Sequence, residues 1–225
     1  MNCVRAAEGS AMKLLELICE NFESFRDEYE WPQEPRVRVR FLKRAQILVA
    51  DVWSCFSSFP QMQSPQFEEL RALTAFVDVR ELTCFADYRV PQALAFFGVL
   101  RYSSGLLERL RARTHRLRVQ CSSTRVHLIS CAAAVERIAA GSREELELRG
   151  CTIAAIEQLC DALNAALNAA DSEAPLEGSG SQPPATVSVS VSPAQLDYYL
   201  WRYRREHAEA IERAVPFHRT RTIFY

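Results

Sequence analysis

The segment Leu82-Thr83-Cys84-Phe85-Ala86-Asp87-Tyr88-Arg89-Val90-Pro91-Gln92 sets a carboxylate beside an aromatic ring and a guanidinium, then meets a proline. Pro91 biases Val90 away from helical dihedrals, so the spacing predicts Asp87 at or near a helix end, where a carboxylate can project into a cleft. On spacing alone, a surface ion pair between Asp87 and Arg89 or another arginine competes with that chemical role. A second charged feature is the pair Lys43-Arg44, near the start of a stretch with helical periodicity. Cations there oppose the helix dipole at a cost of roughly 0.3–1 kcal/mol unless an anion sits nearby. The eight cysteines are scattered, with no CxxC pair and no tight His/Cys cluster, so no metal site is expected and the thiols read as reduced and mostly buried.

The elements that must carry these residues are mainly helical. Leu14, Leu15, Ile18, Phe22 and Phe25 recur at three- and four-residue intervals, which predicts one apolar stripe on a helix ending before Trp31-Pro32. Val37, Val39 and Phe41 alternate between arginines as in a short strand. Lys43 to Trp53 returns to helical spacing, with Ile47, Leu48 and Val52 expected inward. Two helix starts carry a capping serine followed by an acid or amide, at Ser142 with Glu145 and at Ser192 with Gln195. The first opens an alanine-rich helix with Thr152, Ile156, Leu159, Leu163 and Leu167 on one face. The second, helped by Pro193, places Leu196, Leu200, Tyr203 and His207 on one face.

Residues 171–191 are rich in Ser, Pro, Gly and Ala, too poor in apolar surface to offset their ordering entropy, and are expected to be a disordered insertion. Leu73 to Arg80 is echoed by Leu82 to Arg89, five of eight positions matching at an offset of nine. On one straight helix that offset is about 900° of rotation, so Asp78 and Asp87 would fall on opposite faces.

A chain of 225 residues, 48% hydrophobic and 24% charged, can bury one substantial core, so one domain spanning 1–225 is expected. Its formal net charge of −1 gives no bulk attraction for nucleic acid or a membrane. Glu16 and Glu20 interrupt the first apolar run, and Ala93 to Leu100 is too short to span a bilayer; a cytoplasmic protein is expected.

Phe85-Ala86-Asp87-Tyr88-Arg89-Val90-Pro91-Gln92, with Tyr102-Ser103 downstream, resembles the signature of the queuosine 5'-phosphate N-glycosylase/hydrolase (queuosine salvage) family. Similar blocks occur in the family's order. Phe25-Arg26-Asp27 and Lys43-Arg44-Ala45-Gln46-Ile47-Leu48 come before the signature. Gly141-Ser142 with Glu145, Glu147 and Arg149, then Leu196 to Trp201, then His218 to Ile223 come after it. The chain departs from the family in carrying a much shorter portion ahead of Phe25. Leu73–Arg80, the arginine-rich stretch between Gly105 and Cys131, and the residues after Asp171 look like insertions.

The resemblance implies a single helical domain like the helical DNA glycosylases and an activity that releases queuine from queuosine 5'-monophosphate. It implies a small-molecule nucleotide as partner and no cofactor, metal or direct nucleic acid. Queuine is a 7-deazapurine, and without N7 the leaving base lacks the usual protonation site. Stabilising the charge that develops at C1' then carries more of the barrier. Asp87 is the residue expected to do this, as nucleophile or as base for water. Phe85 is expected to stack on the base or fill the core, Asp197 with Tyr198 to meet a guanine-like edge, and Lys43 to hold the 5'-phosphate. For Asp197, stabilisation of the helix dipole in a first turn is an equal alternative. His218 is read as structural. An alternative implied function is a catalytically weak or inactive homologue that binds nucleotide or a partner protein.

Overall fold

The structure, a computed structural model, describes residues 2–57, 64–111, 138–173, 190–216 and 218–224. It is mainly helical with one two-stranded sheet, as the periodicities predict. Helix α1 (Asn2–Ala7) turns through Gly9, at φ +81°, into α2 (Ala11–Asn21), whose first turn is capped by the Ser10 side chain. Leu14, Leu15 and Ile18 are buried as expected, but α2 stops at Asn21 and leaves Phe22 exposed. A 3-10 turn (Glu23–Phe25) leads into the hairpin of β1 (Glu28–Trp31) and β2 (Glu34–Arg40), antiparallel with Tyr29 opposite Val39. The predicted strand is therefore present, and it is charged and largely exposed because the hairpin lies on the surface.

Helix α3 (Lys43–Ser57) starts where the sequence suggested, but its inward face is Ala45, Gln46 and Val49, and Leu48 faces out. The offset arises because Gln46 is recruited by tertiary bonds described below. Helix α4 (Pro65–Thr74) is capped by Ser64, and a 3-10 turn (Val79–Glu81) follows. The echoed stretch 73–80 packs into the fold: Phe76 is buried with Leu14, Leu15, Ala45 and Val49. Asp78 accepts from the N–H groups of Ala11 and Met12 and from the Ser10 hydroxyl, clamping the start of α2.

Helix α5 (Val90–Phe96) has Pro91 inside its first turn, so the proline opens this helix; Asp87 precedes a helix start, where the sequence left open which end it marked. Residues 104–111 form the described part of α6, and 112–137, which hold most of the arginine-rich stretch, lie outside the described residues. Helix α7 (Arg143–Glu173) buries Glu145, Arg149, Thr152, Ile156 and Cys160, while Leu163 is exposed as the helix extends past the core. Helix α8 (Pro193–Glu206) has the complete Ser192–Gln195 capping box. Its buried face runs Leu196, Asp197, Leu200, Arg204, so Arg204 takes the place expected of His207, which is exposed. Helix α9 (Ala208–Ala214) and residues 215–224 complete the fold.

The expected insertion is narrower than 171–191. Residues 171–173 continue α7, and Val191 exchanges two hydrogen bonds with the Asn164 side chain; 174–189 lie outside the described residues. Among the described thiols, Cys19, Cys84 and Cys160 are buried but Cys55 and Cys151 are exposed, so burial is less general than expected.

The apolar interior has two main parts. One joins α2, α3 and the stretch from Phe76 to Leu82. The other joins α5, α7 and α8 with Cys84 and Ala86. Each fully buried Leu or Ile in them contributes roughly 1.5–3 kcal/mol. Residues 82–90 pass from the first part to the second, because Leu82 packs in one and Cys84 in the other. Asp87, flanked by Ala86 and Val90 of the second part, meets Lys43 beside Leu42 and Ala45 of the first and so lies at the seam between the two.

Candidate active site

Three helices position the site: the start of α3 brings Lys43, the start of α5 follows Asp87, and α8 brings Asp197. Asp87 is 4% exposed, which removes the surface-pair reading. Its Oδ1 accepts from the backbone N–H of Arg89 at 2.6 Å and of Val90 at 3.1 Å, at the positive end of α5. Its Oδ2 accepts from Lys43 Nζ at 3.2 Å. Arg89 gives Asp87 only its backbone; its guanidinium lies 5.3 Å from the centre of the Tyr88 ring. A carboxylate has about four lone-pair positions, so these contacts hold Asp87 in one orientation and leave an acceptor position on Oδ2.

Lys43 and Asp87 are brought together by a buried ionic network of Asp27 and Arg149, to which the sequence assigned no role, and Glu145, which it assigned only to helix capping. Arg149, in α7, donates to both carboxylate oxygens of Asp27, at 2.9 Å for Oδ1, and to Glu145 Oε1 at 3.3 Å. It also donates from Nε to the Ala86 carbonyl at 3.0 Å, one residue before Asp87. Asp27 Oδ2 in turn accepts from the Lys43 backbone N–H at 3.2 Å. The guanidinium lies 3.9 Å from the centre of the Phe41 ring. One arginine thus fixes the strand of chain leading to Asp87 and, through Asp27, the start of the helix carrying Lys43. All three charged side chains are fully buried, so each relies on these partners. The i, i+4 spacing of Glu145 and Arg149 was legible as a helical pair, but their burial was not.

Gln46 adds a second tie: its amide donates to the Phe41 carbonyl and the Thr83 hydroxyl, and its carbonyl accepts from the Thr83 N–H at 2.8 Å. That demand explains why Gln46 points inward from α3. On the far side, Gln92 Oε1 accepts from Arg204 Nε at 2.9 Å, and Arg204 also pairs with Glu212, joining α5 to α8 and α9. Much of the basic C-terminal run closes on itself in such pairs, including Arg202 with Glu206 and Arg213 with Glu209.

Asp197 is the fifth residue of α8, past the first turn, so it does not serve the helix dipole there. It is 4% exposed and accepts from the Phe85 N–H at 3.0 Å. Burial pushes its carboxyl up to about 7, and the negative charge of Asp87 adds to this against the Phe85 hydrogen bond and Lys43. Asp197 is therefore partly protonated near neutral pH. Phe85 is half-buried, two residues before Asp87, and its backbone is the group bonded to Asp197. Tyr198 is 61% exposed and stacks on Trp201, so it lies at the surface rather than beside the buried carboxylates.

His218, expected from the sequence to be structural, is buried. It is 1% exposed, and its Nε2 has no hydrogen-bond partner among the described residues. Burial pushes the imidazole down to about 4; Asp87 opposes this and Arg149 adds to it. The ring is neutral at pH 7 and close enough to Asp87 to sense its charge.

The whole chain, residues 1–225, matches the family model described as queuosine salvage protein. Over its full length it is 36% identical to the queuosine 5'-phosphate N-glycosylase/hydrolase of Mus musculus, covering 51% of that protein. It is 34% identical to that of Bos taurus, again covering 51%, and 34% identical over 224 residues to that of Sphaerobacter thermophilus, covering 50%. The chain spans about half the length of these curated relatives. A match over every residue, including those that build the Asp87 seam, establishes that this chain belongs to the queuosine salvage protein family.

Proposed function

We propose that this chain hydrolyses the N-glycosidic bond of queuosine 5'-monophosphate, a small-molecule nucleotide, in the cytoplasm and releases queuine for reuse in tRNA modification. The observation that carries this reading is Asp87: a buried carboxylate oriented by two backbone N–H groups and Lys43, with an acceptor position left on Oδ2. A 7-deazapurine cannot be protonated at N7, so departure of the base depends on stabilising positive charge at C1'. A fixed carboxylate there does so by electrostatics and by attack or by accepting a proton from water. Asp197, protonated in part near neutrality, can donate to or accept from a guanine-like edge, and Phe85 is the ring suited to stack on the base. Lys43 lies at a helix start and suits a phosphate as well as Asp87, and exposed Tyr198 would touch only the outer edge of a bound nucleotide.

Incubating the purified chain with queuosine 5'-monophosphate and measuring free queuine by mass spectrometry tests the reading. Free queuine in amounts beyond one per protein is the expected result. Binding of the nucleotide without release of base would instead favour a weak or inactive homologue.

A further inference from the structure

The segment that follows α9 is tethered at both site helices. Gln92, in α5, donates to the Val215 carbonyl at 2.7 Å, and Arg44, in α3, donates to the Ile223 carbonyl at 3.0 Å. The chain between these two anchors must cross from the helix that follows Asp87 to the helix that begins at Lys43. His218 and Thr220 lie in that crossing. Both are at least nine-tenths buried, and His218 Nε2 and Thr220 Oγ1 are buried without a hydrogen-bond partner among the described residues. Two such atoms two residues apart in a natural sequence call for a partner that arrives with water or a ligand.

The chemistry of the pair narrows what that partner is. The His218 ring is neutral at pH 7, since burial pushes it down to about 4, and the Thr220 hydroxyl carries no charge. A phosphate placed against them would bury its charge beside uncharged groups, a costly arrangement. The nearby guanidinium of Arg149 is engaged with Asp27, Glu145 and the Ala86 carbonyl. Uncharged groups that both donate and accept fit the pair, and in a nucleotide whose C1' faces Asp87 the nearest such groups are the sugar hydroxyls.

We infer that His218 and Thr220 form a binding ledge for the ribose hydroxyls of the nucleotide, on the C-terminal segment that straps α5 to α3. The inference rests on the proposed function for the identity of the ligand. Its test uses the full chain in an Asp87→Asn background, which keeps the nucleotide intact. Calorimetry compares queuosine 5'-monophosphate with its 2'-deoxy and 3'-deoxy analogues. The parent background should prefer the ribonucleotide over at least one analogue by about tenfold, the worth of one well-made hydrogen bond. Thr220→Val, which keeps shape and removes the hydroxyl, should cut that preference to about twofold or less without lowering the melting temperature. His218→Gln, which retains hydrogen-bonding capacity, should keep more of it than His218→Leu. Full preference in both Thr220→Val and His218→Leu would overturn the ledge and leave water as the partner of these atoms. If the wild-type chain still released queuine in that case, the proposed function would stand without it. Failure of all three nucleotides to bind, with no queuine released by the wild-type chain, would overturn both.

Discussion

Lys43 Nζ lies 3.2 Å from Asp87 Oδ2, although 44 residues separate them in the chain. Both side chains are nearly buried, so solvent screens the contact little. The lysine sits where cations are disfavoured by the helix dipole, and Asp87 is the anion that compensates it in the free protein. The pair gives the site a fixed carboxylate and an adjacent cation, whose combined charge is close to zero before substrate enters.

Asp87→Asn should leave the circular dichroism spectrum unchanged, because an asparagine carbonyl still accepts from the Arg89 and Val90 N–H groups. Release of queuine should fall by about 10²–10⁴-fold, the range for a positioned acid/base group. Retention of more than about a tenth of wild-type turnover would remove Asp87 from the reaction. Asp78→Asn in the echoed copy should leave turnover unaltered but cost about 1 kcal/mol of stability, since Asp78 clamps the start of α2.

Lys43→Ala should weaken binding of the 5'-monophosphate more than binding of the unphosphorylated nucleoside, and should also lower turnover by removing the cation beside Asp87. Titration of both ligands against wild type and variant separates the two effects. Equal loss of affinity for both would confine the lysine to supporting Asp87 and place the phosphate elsewhere.

Asp197 makes stability depend on pH in an unusual direction for a carboxylate. Its pKa is raised in the fold to about 7 from an ordinary 3.8, so between these values the native state binds more protons than the unfolded chain. Stability contributed by protonated Asp197 is present at low pH and is lost as pH rises through about 7. His218, lowered to about 4 from 6.5, works the other way, losing stability as pH falls through that window. The difference between wild type and Asp197→Asn isolates the carboxylate. Melting temperatures from pH 5 to 8 should show wild type losing ground to Asp197→Asn as pH rises; parallel curves would place the carboxyl in the ordinary range.

Arg149→Met should destabilise the protein by about 3–5 kcal/mol, because it leaves Asp27 and Glu145 buried without their shared cation. Arg149→Lys keeps the charge but loses the two-pronged contact with Asp27 and the bond to the Ala86 carbonyl. Denaturant unfolding should rank wild type above Arg149→Lys and Arg149→Lys above Arg149→Met. A Met variant as stable as wild type would mean that the fold does not depend on the network.

Much of the architecture was written locally. The Ser192–Gln195 capping box, the apolar spacing of Leu14, Leu15 and Ile18, and the strand alternation at Val37 and Val39 are short-range patterns, and the fold realises each of them. The block from Phe85 to Gln92 marked Asp87, and Pro91 marked a helix boundary beside it; the proline sits in a first turn, and Val90, expected to be non-helical before it, is the first residue of α5. Whether that boundary opened or closed a helix was not legible, since a proline is tolerated in a first turn and also follows a last one. The facing side of α3 departs from its apolar spacing for a related reason: Gln46 is drawn inward by Thr83 and Phe41, and no periodicity of apolar residues encodes a polar tie of that kind. Only tertiary structure joined Asp87 to Lys43, Asp27 to Arg149 and Asp197 to the Phe85 N–H, because these contacts close loops between elements far apart in the chain. Burial and neighbouring charge, which raise Asp197 to about 7 and hold His218 neutral, come from several elements at once. A residue's type sets its ordinary pKa; the dielectric and charges that displace it exist only after the helices have packed.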